Sequence, residues 1–381
     1  MLSCLRNEGN FNHNYVIKLD QPDPTADKPQ SKLWYQNDTW WALLPRSGGP
    51  SLWQRTNKGW IEHTGIHDSL AGLPGRADVW AEDNRVTAVG VGKSSLSVYR
   101  LNSDKNADRI TFRTKKLAEL LPPSSETPIE TATITRDPAG IWWVAATADK
   151  RVCVWSSASD GTQWSSAYVL AEGINEDDIC VITPVPRGVG VIWSDQVTQS
   201  VKMRCHPTGF PIEKWDPDEI IDIGNKSADD HLHTSLDHKG TLWVATKNSL
   251  DKIGGPQLIL RIRSKDGKWT NKNMSLLENT SYPTRPIVIA TGDSSTVVAG
   301  YSDNLPGHSR IFFGIVDTTL KVVIKNLKVV IPTDTINKGF INNVTGPRHP
   351  YPLNAPWIVL ASDQDGRVYE ADLKKMIKTK M

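Results

Sequence analysis

Short apolar segments recur along the whole chain, separated by turns rich in Gly and Asp. Seven of them hold the same place in a repeated unit: 39-TWWALLP, 85-RVTAVGV, 140-GIWWVAAT, 188-GVGVIWS, 240-GTLWVAT, 296-TVVAGYS and 356-PWIVLAS. Each is followed by a second segment in which apolar and polar residues alternate. Alternation predicts half-buried β-strands, whereas helical periodicity is almost absent. The units are about 53 residues apart, a spacing typical of four-stranded propeller blades.

Each unit also has a first strand before this pair and an outer strand after it. The first strands are short and apolar, as in 77-ADVWA and 178-DICVITPV, and Asp, Asn and Gly supply the hairpin turn that follows. Outer strands begin near Gly59-Trp60, near Gly161 with Trp164, and near Gly267 with Trp269. A four-stranded meander cannot bury both of its faces alone. The pattern therefore predicts an all-β, seven-bladed β-propeller of antiparallel blades, in a single domain of residues 1–381.

The last unit has only three strands, and an unassigned strand, 14-NYVIKLD, precedes the first unit. We expect residues 14–20 to supply the missing outer strand of the last blade, residues 21–30 to form a Pro-rich connector, and residues 374–381 to form a basic tail. The predicted blades are residues 31–66, 77–113, 129–170, 177–216, 229–273, 284–330 and 338–373. Pairing of the first strand with the last blade would close the ring.

Composition and charge narrow the function classes. The 381 residues include 44 Lys and Arg against 42 Asp and Glu, so no global charge favours a nucleic acid or a membrane surface. No long apolar run and no signal-peptide pattern occurs, which predicts a cytoplasmic protein or a component of a particle assembled in the cytoplasm. Cys4, Cys153, Cys180 and Cys205 form no zinc pattern and are expected to be mostly buried thiols, although pairing among the last three stays open.

The turns before the outer strands carry a family resemblance. The stretch Ser157-Ala158-Ser159-Asp160-Gly161-Thr162-Gln163-Trp164 resembles a degenerate Asp box, and 264-SKDGKW and 56-TNKGW are shortened versions of it. These turns are similar to those of the sialidase-like, or BNR, β-propellers. The resemblance implies a structural role for the box, with its Trp packed between blades. It implies the fold and carries no activity with it.

Ligands of propellers usually meet the face formed by the starts of the first strands and the loops between second and third strands. We expect ligand contacts from the polar residues at those places: Asp78, Glu130, Asp177, Asp178, Asp195, Asp229, Asp230, His231, Lys247, Arg285 and Arg310. Carboxylates and cations that converge on one funnel can bind sugar hydroxyls or an acidic group. For any single residue, a charge that simply faces water is the more ordinary interpretation.

Two of these places stand out. Asp229, Asp230 and His231 resemble the Asp-Asp-His stretch of BNR-type ulvan lyases, in which a His serves eliminative cleavage. A structural role for His231, linking adjacent blades, is the equal alternative. Arg285 begins a first strand, as do the arginines with which sialidases bind substrate carboxylates. Only Arg285 and Arg310 fit such positions, which argues against sialidase chemistry itself.

No complete catalytic set, zinc pattern or phosphate-binding loop is present. We therefore predict a non-catalytic recognition propeller that binds a glycan or a partner protein through its polar loop face, without a metal or cofactor. It is expected to belong to a larger particle such as a virion or an injection machine, without nucleic-acid binding or membrane insertion. The alternatives are a glycan-active enzyme, a polysaccharide lyase or sialidase-like hydrolase that uses His231, Asp230 and Arg285, and a purely structural propeller in an assembly.

Overall fold

Twenty-eight strands form seven antiparallel sheets of four strands each in the part of the chain that the structure describes. The structure is a computed structural model, and it describes residues 15–106, 109–124, 126–292, 295–305, 308–332, 340–348, 351–352 and 354–377. First strands of successive blades contact one another around a central axis. This arrangement confirms the predicted seven-bladed, all-β propeller.

The first blade contains β2 (Leu33–Gln36), β3 (Thr39–Arg46), β4 (Gly49–Thr56) and β5 (Gly59–Glu62), followed by a 3₁₀ turn (Thr64–Ile66) and helix α1 (His67–Leu70). The second contains β6 (Ala77–Glu82), β7 (Arg85–Val91), β8 (Leu96–Asn106) and β9 (Arg109–Leu120). The third contains β10 (Ala132–Arg136), β11 (Trp142–Ala148), β12 (Arg151–Ser156) and β13 (Tyr168–Glu172). In the first six blades the strands pair in chain order from the axis outward.

The fourth blade contains β14 (Cys180–Val185), β15 (Gly188–Asp195), β16 (Ser200–Pro207) and β17 (Glu219–Ile223). The fifth contains β18 (Leu232–Leu236), β19 (Leu242–Lys247), β20 (Pro256–Arg263) and β21 (Trp269–Leu276). The sixth contains β22 (Pro283–Ala290), β23 (Val297–Leu305), β24 (His308–Val316) and β25 (Ile324–Ile331).

The seventh blade closes the ring as predicted. It contains β26 (Ile341–Thr345), β27 (Ile358–Asp363) and β28 (Arg367–Asp372), and its outer strand is β1 (Ile17–Lys18) from the start of the described chain. Ile17 pairs with Val368 and Lys18 with Arg367 in antiparallel register. The paired strand is shorter than the predicted 14–20, and residue 14 lies outside the described residues, as do residues 338–339 of the last blade.

Hairpin turns inside the blades follow from their Asp and Gly residues. The carboxylate of Asp137 accepts a hydrogen bond from the backbone N–H of Ile141 at 2.9 Å, and Gly140 takes a φ of +86°. Asp237 caps the equivalent turn in the fifth blade by accepting from the N–H of Thr241 at 2.8 Å. An Asp that binds the backbone of its own turn fixes where each hairpin reverses.

Consecutive tryptophans pack against both neighbouring blades, as strand alternation predicts. Trp40 belongs to the apolar cluster shared with the seventh blade, and Trp41 belongs to the one shared with the second blade. Trp142 and Trp143 divide in the same way between the second and fourth blades. The core of the protein is therefore a series of layers between blades.

A repeated polar contact joins neighbouring blades near their outer edges. Glu370 of the seventh blade accepts two hydrogen bonds from the Arg55 guanidinium at 2.8 Å and one from the Trp60 indole N–H at 2.7 Å. Glu219 of the fourth blade receives the same pair of donors, from Arg263 and from Trp269. Trp60 and Trp269, two of the tryptophans predicted to open outer strands, thus also link blades.

Buried charges fill the axis of the ring. Asp78, at the start of β6, accepts hydrogen bonds from the backbone N–H groups of Ser31 and Ile134 and from Arg348 at 2.7 Å. Arg348 also donates to the carbonyl of Ile182 at 2.6 Å, so it connects the inner strands of the second and fourth blades. Burial raises the pKa of Asp78, and the Arg348 charge opposes that effect.

Some local expectations need correction. Trp164 forms only an isolated bridge with Ser157, and the outer strand of its blade starts later, at Tyr168. The expected basic tail begins as a short helix, α2 (Leu373–Ile377), whose Leu373 and Ile377 are buried. Residues 378–381 lie outside the described residues.

The cysteines are free where they are described. Cys153, Cys180 and Cys205 are all buried and unpaired with one another, which answers the open question about a disulfide among them. Burial raises the pKa of the Cys205 thiol to about 12 and that of Cys153 to about 11. Cys4 lies outside the described residues. Among the residues placed in the structure, no helix has the length and apolar character needed to cross a membrane.

Candidate functional site

The connector, residues 21–30, crosses the propeller axis at the predicted loop face. Near its start, Thr25 donates to the carbonyl of Asn343 in the seventh blade at 2.6 Å. At its end, the side-chain amide of Gln30 donates to the carbonyl of Ala132 in the third blade at 3.0 Å. A segment anchored in blades on both sides of the ring lies across the centre of this face. The polar face around it is called the funnel below, and it is formed by Asp23, Lys28, Glu130, Asp177, Asp229, Asp230, His231, Lys247 and Arg285.

Lys28 extends from this floor to the fifth blade. Its ammonium group contacts the carboxylate of Asp230 and lies 3.4 Å from Nε2 of His231. The Lys28 and Asp230 side chains are 17% and 19% exposed, so the pair lies at the boundary between the protein and the funnel. A charge-assisted contact in this half-buried position is stronger than one on an open surface.

His231 is held on both sides of its ring. Nδ1 lies 2.6 Å from Asp229 and also contacts Asp230, while Nε2 lies 3.4 Å from Lys28 and from Thr284 Oγ1. Because the Lys28 ammonium can only donate, the arrangement assigns the proton of a neutral ring to Nδ1. The side chain is only 8% exposed.

The two aspartates each have a cationic neighbour. Lys247 donates to Asp229 Oδ2 at 2.6 Å, and Ser249 donates to the same oxygen at 2.9 Å. Burial alone would raise the pKa of Asp230, but the hydrogen bond from His231 and the charge of Lys28 hold that pKa below its ordinary value. Burial alone would lower the pKa of Lys247. The charge of Asp229 and its hydrogen bond outweigh burial, so the pKa of Lys247 is raised. The fifth blade therefore contributes a compact, charged network.

Arg285 reaches the funnel because its strand is irregular. The pairing of β22 with β23 shifts register between Thr284 and Ile287, and Arg285 has a φ of +48°. Bulges of this kind redirect a side chain. The guanidinium donates through Nε to Asn343 Oδ1 at 2.7 Å, and no described carboxylate lies within ion-pair distance of it. Desolvation lowers its pKa, although Asp230 and Asp23 oppose that effect.

Carboxylates without a described ion-pair partner line the rest of the funnel. Glu130 and Asp177 stand at the starts of the third and fourth blades and are exposed, and Asp23 of the connector is partly exposed. Desolvation raises the pKa of each of the three, and the negative charge of Asp230 adds to the effect on Glu130 and Asp177. The funnel is thus locally acidic although the whole chain is nearly neutral.

A small cavity lies beneath Lys28. It has a volume of about 20 Å³ and is lined by Thr25, Asp27, Lys28, Pro29, Gln30, His231, Leu232, His233, Arg285, Pro286, Asn343 and Val344. His233 is 5% exposed, and its Nε2 has no hydrogen-bond partner among the described residues. The backbone N–H of Val288 donates to Nδ1 at 3.4 Å, which leaves the proton of the neutral ring on Nε2. Burial lowers the pKa of His233 to about 3.

The predicted site residues divide into two groups. The structure brings together Glu130, Asp177, Asp229, Asp230, His231, Lys247 and Arg285 around the funnel. The other four are engaged within the chain. Asp78 is fully buried at the axis, Asp178 accepts from the N–H of Gln196 at 3.0 Å, Asp195 pairs with Lys202 at 2.7 Å, and Arg310 pairs with Asp303 at 2.7 Å.

Three side chains of the network could serve as metal ligands. Asp229, Asp230 and His231 each offer a ligand atom, and these atoms all lie within 4.8 Å of one another. However, the ammonium groups of Lys247 and Lys28 already neutralise the two carboxylates. A metal ion would have to displace both lysines and the Nδ1 proton, so the donor set fits an ion-pair network better than a metal centre.

The connector was predicted as a Pro-rich link between the first strand and the first blade, but its part in the site was not, and neither was the role of Arg348. Asp27, which pairs with Arg76 at 3.0 Å, and Lys28 lie in a Pro-rich segment that has the composition of a solvent-exposed linker. The only available signal was the pair of opposite charges at positions 27 and 28 within that segment.

Comparisons with known proteins were made for the whole chain. No protein-family model and no curated protein matches it. Among solved structures, it is similar to a Trypanosoma rangeli sialidase in complex with sialic acid, at 10% identity and a TM-score of 0.49, covering 78% of this chain and 57% of the sialidase. The chain therefore spans little more than half the length of that enzyme.

Two further similar structures have other activities in their descriptions. One is a Penicillium chrysogenum α-L-arabinanase complexed with arabinobiose, at 12% identity and a TM-score of 0.49, covering 80% of this chain and 98% of the enzyme. The other is the polysaccharide lyase Uly1, at 8% identity and a TM-score of 0.47, covering 97% and 94%. The propeller fold rests on the strand pairing described above, and these likenesses assign no activity to this chain.

Proposed function

We propose that the protein is a recognition propeller that binds a glycan in the funnel above residues 21–30, without chemical turnover. The observation that carries this proposal is the position of Lys28. Its ammonium group covers Asp230 and the second nitrogen of His231, so both ring nitrogens of His231 face groups of the chain itself. A general acid or base needs one nitrogen within reach of the substrate.

The funnel offers the groups that bind sugar hydroxyls. Glu130 and Asp177 are exposed carboxylates that accept hydrogen bonds from hydroxyl groups, and Arg285 donates to hydroxyl or ring oxygens. None of the three has a described ion-pair partner within the chain. Hydrogen bonds to charged groups contribute about 1.5–3 kcal/mol each, so a few of them support weak binding at a single site.

Titration calorimetry with neutral and acidic oligosaccharides tests the proposal. Glu130→Gln and Asp177→Asn should each lower the affinity of a glycan ligand about tenfold, because an amide replaces a charged acceptor. Asp104→Asn is the control, since Asp104 lies on the β8–β9 hairpin, at the end of its blade remote from the funnel. Equal affinities for all three variants and the unmodified protein, or a complete absence of glycan binding, would contradict the proposal.

A second function, eliminative cleavage of an acidic polysaccharide, is favoured by one observation. Asp229 orients the His231 ring at 2.6 Å, as carboxylates do for catalytic histidines, and Arg285 stands nearby as a cation for a substrate carboxylate. Ultraviolet absorbance of newly formed unsaturated ends measures this reaction directly. Turnover that disappears in His231→Ala would replace the binding proposal with this one. A stable pull-down complex without glycan binding would instead favour a partner protein.

A further inference from the structure

Lys28 places a primary ammonium group among the carboxylates of the funnel. It contacts Asp230, and its positive charge lowers the pKa of Glu130 and of Asp177 against the desolvation that raises them. Carboxylates from three different blades thus interact with one ammonium group, Asp230 by direct contact and Glu130 and Asp177 through their charges. The connector on either side of Lys28 is anchored through Thr25 and Gln30.

The cavity beneath Lys28 supplies a second, independent feature. The Nε2–H group of His233 is a buried donor without a described acceptor, and the cavity it lines is about 20 Å³. A buried donor without an acceptor is unfavourable, so a ligand oxygen that accepts its hydrogen bond strengthens binding. The volume is sufficient for one water-sized group such as a hydroxyl.

We propose that Lys28 is a tethered stand-in for the ammonium group of an amino sugar, and that the funnel prefers glycans with free amino groups. This inference rests on the proposed glycan binding. A sugar with neighbouring amino and hydroxyl groups matches both features. Its ammonium group replaces that of Lys28 beside Asp230, so Nε2 of His231 still faces a cation, while its hydroxyl oxygen approaches His233. A lysine side chain of a protein partner offers the ammonium group alone.

The tethered group competes with the ligand. Whenever Lys28 lies against Asp230, the place for the ligand's ammonium group is filled. The apparent affinity is then the intrinsic affinity multiplied by the fraction of molecules in which Lys28 has left this place. Lys28→Met keeps the length and apolar body of the side chain but removes its charge. We expect this variant to bind glucosamine oligomers about tenfold more tightly than the unmodified protein, with no change for glucose oligomers.

Calorimetry with these two oligomers tests the preference. Lys93→Met serves as the control, because Lys93 is an exposed lysine in the turn after β7 on the same face. Equal affinity for glucosamine and glucose oligomers, or weaker binding of both by Lys28→Met, would overturn the inference and leave the proposed glycan binding intact.

Chemical rescue tests the ammonium site without any glycan. Lys28→Ala should have a lower thermal midpoint than the unmodified protein, and propylammonium should restore it, whereas tetramethylammonium and sodium should not. Neither the unmodified protein nor Lys93→Ala should respond to propylammonium. If propylammonium stabilises Lys28→Ala no more than sodium does, the carboxylates do not form an ammonium site and the inference is wrong. Rescue without binding of any oligosaccharide would keep the ammonium site and remove its assignment to amino sugars.

Discussion

Arg348 and Asp78 form an ion pair at the axis of the propeller, with an N–O distance of 2.7 Å and side chains that are 3% and 0% exposed. The two residues are far apart in the sequence and come from the seventh and second blades. Their contact therefore exists only when the ring is closed. Removal of one partner leaves the other charge buried and uncompensated, which typically lowers the free energy of unfolding by about 3–5 kcal/mol.

We expect Arg348→Met to lower the free energy of unfolding by about that amount, as measured by urea denaturation. The double variant Asp78→Asn with Arg348→Met should recover part of the loss, because it removes both charges. Arg113→Met provides a matched control, since Arg113 pairs with Asp104 on the surface at 83% and 50% exposure. That exposed pair should contribute less than about 1 kcal/mol to the free energy of unfolding. Equal losses for the two arginines would contradict the axial role of Arg348.

Ring closure through β1 gives a second prediction. Ile17 is 2% exposed and packs in the cluster between the seventh and first blades, whereas Val16 beside it is 37% exposed. Ile17→Ala should lower the free energy of unfolding by about 2–5 kcal/mol because it leaves a cavity in that layer. Val16→Ala should change it by less than about 1 kcal/mol. Similar small effects of both substitutions would show that the first strand contributes little to closure.

The alternation of apolar and polar residues predicted the fold well, because each strand and turn is determined by residues that are neighbours in the sequence. Alternating apolar positions and Asp-Gly turns define each meander, and seven repeats require a ring, so even the pairing of residues 17–18 with the last blade followed. The Asp229, Asp230 and His231 cluster was also found, because its residues are adjacent in the chain.

Long-range contacts explain what was missed. Apart from the opposite charges at positions 27 and 28, the sequence around Lys28 gives no sign that the connector turns inward across the axis. That path depends on carbonyl groups of Asn343 and Ala132 in distant blades. Arg348 gives no local signal for the same reason. Asp178 and Asp195 stand at the predicted loop positions, but their hydrogen bonds to Gln196 and to Lys202 hold them within the chain.

His233 should make stability fall as the pH is lowered. Its pKa of about 3 lies below the ordinary value near 6.5, so the folded state binds fewer protons than the unfolded state between these values. The contribution of His233 to the free energy of unfolding is present above pH 6.5 and is lost as the pH falls toward 3. Between these values the free energy of unfolding falls by about 1.4 kcal/mol per pH unit.

His233→Asn keeps an acceptor for the backbone N–H of Val288 and removes the titrating ring. Urea denaturation at several pH values should therefore show a shallower decline for this variant than for the unmodified protein. Identical slopes between pH 6 and 4 would mean that His233 is not held neutral in the folded protein.

Glu130 and Asp177 should destabilise the folded protein at neutral pH. Desolvation raises the pKa of both carboxyl groups, so their contribution to stability is full below pH 4 and is lost as the pH rises through the raised values. The double variant Glu130→Gln with Asp177→Asn should have a higher thermal midpoint at pH 7, and this gain should shrink at pH 4.

Asp149→Asn serves as the comparison, because it should change the thermal midpoint at pH 7 in the opposite direction. Hydrogen bonds from the Ser124 side chain and from the backbone of Thr127 lower the pKa of Asp149. Its contribution is therefore present at neutral pH, and the amide should lower the thermal midpoint there. A decrease at pH 7 for the Glu130 and Asp177 double variant would contradict the assigned acidity of the funnel.

We propose that the funnel above the connector binds a glycan through its carboxylates and does not cleave it. Calorimetric titration of the protein with a panel of oligosaccharides, with each ligand recovered and its length checked afterwards, tests both parts at once. We expect saturable binding that Glu130→Gln and Asp177→Asn weaken about tenfold, with intact ligand recovered. Shortened oligosaccharide, or binding that neither substitution alters, would contradict it.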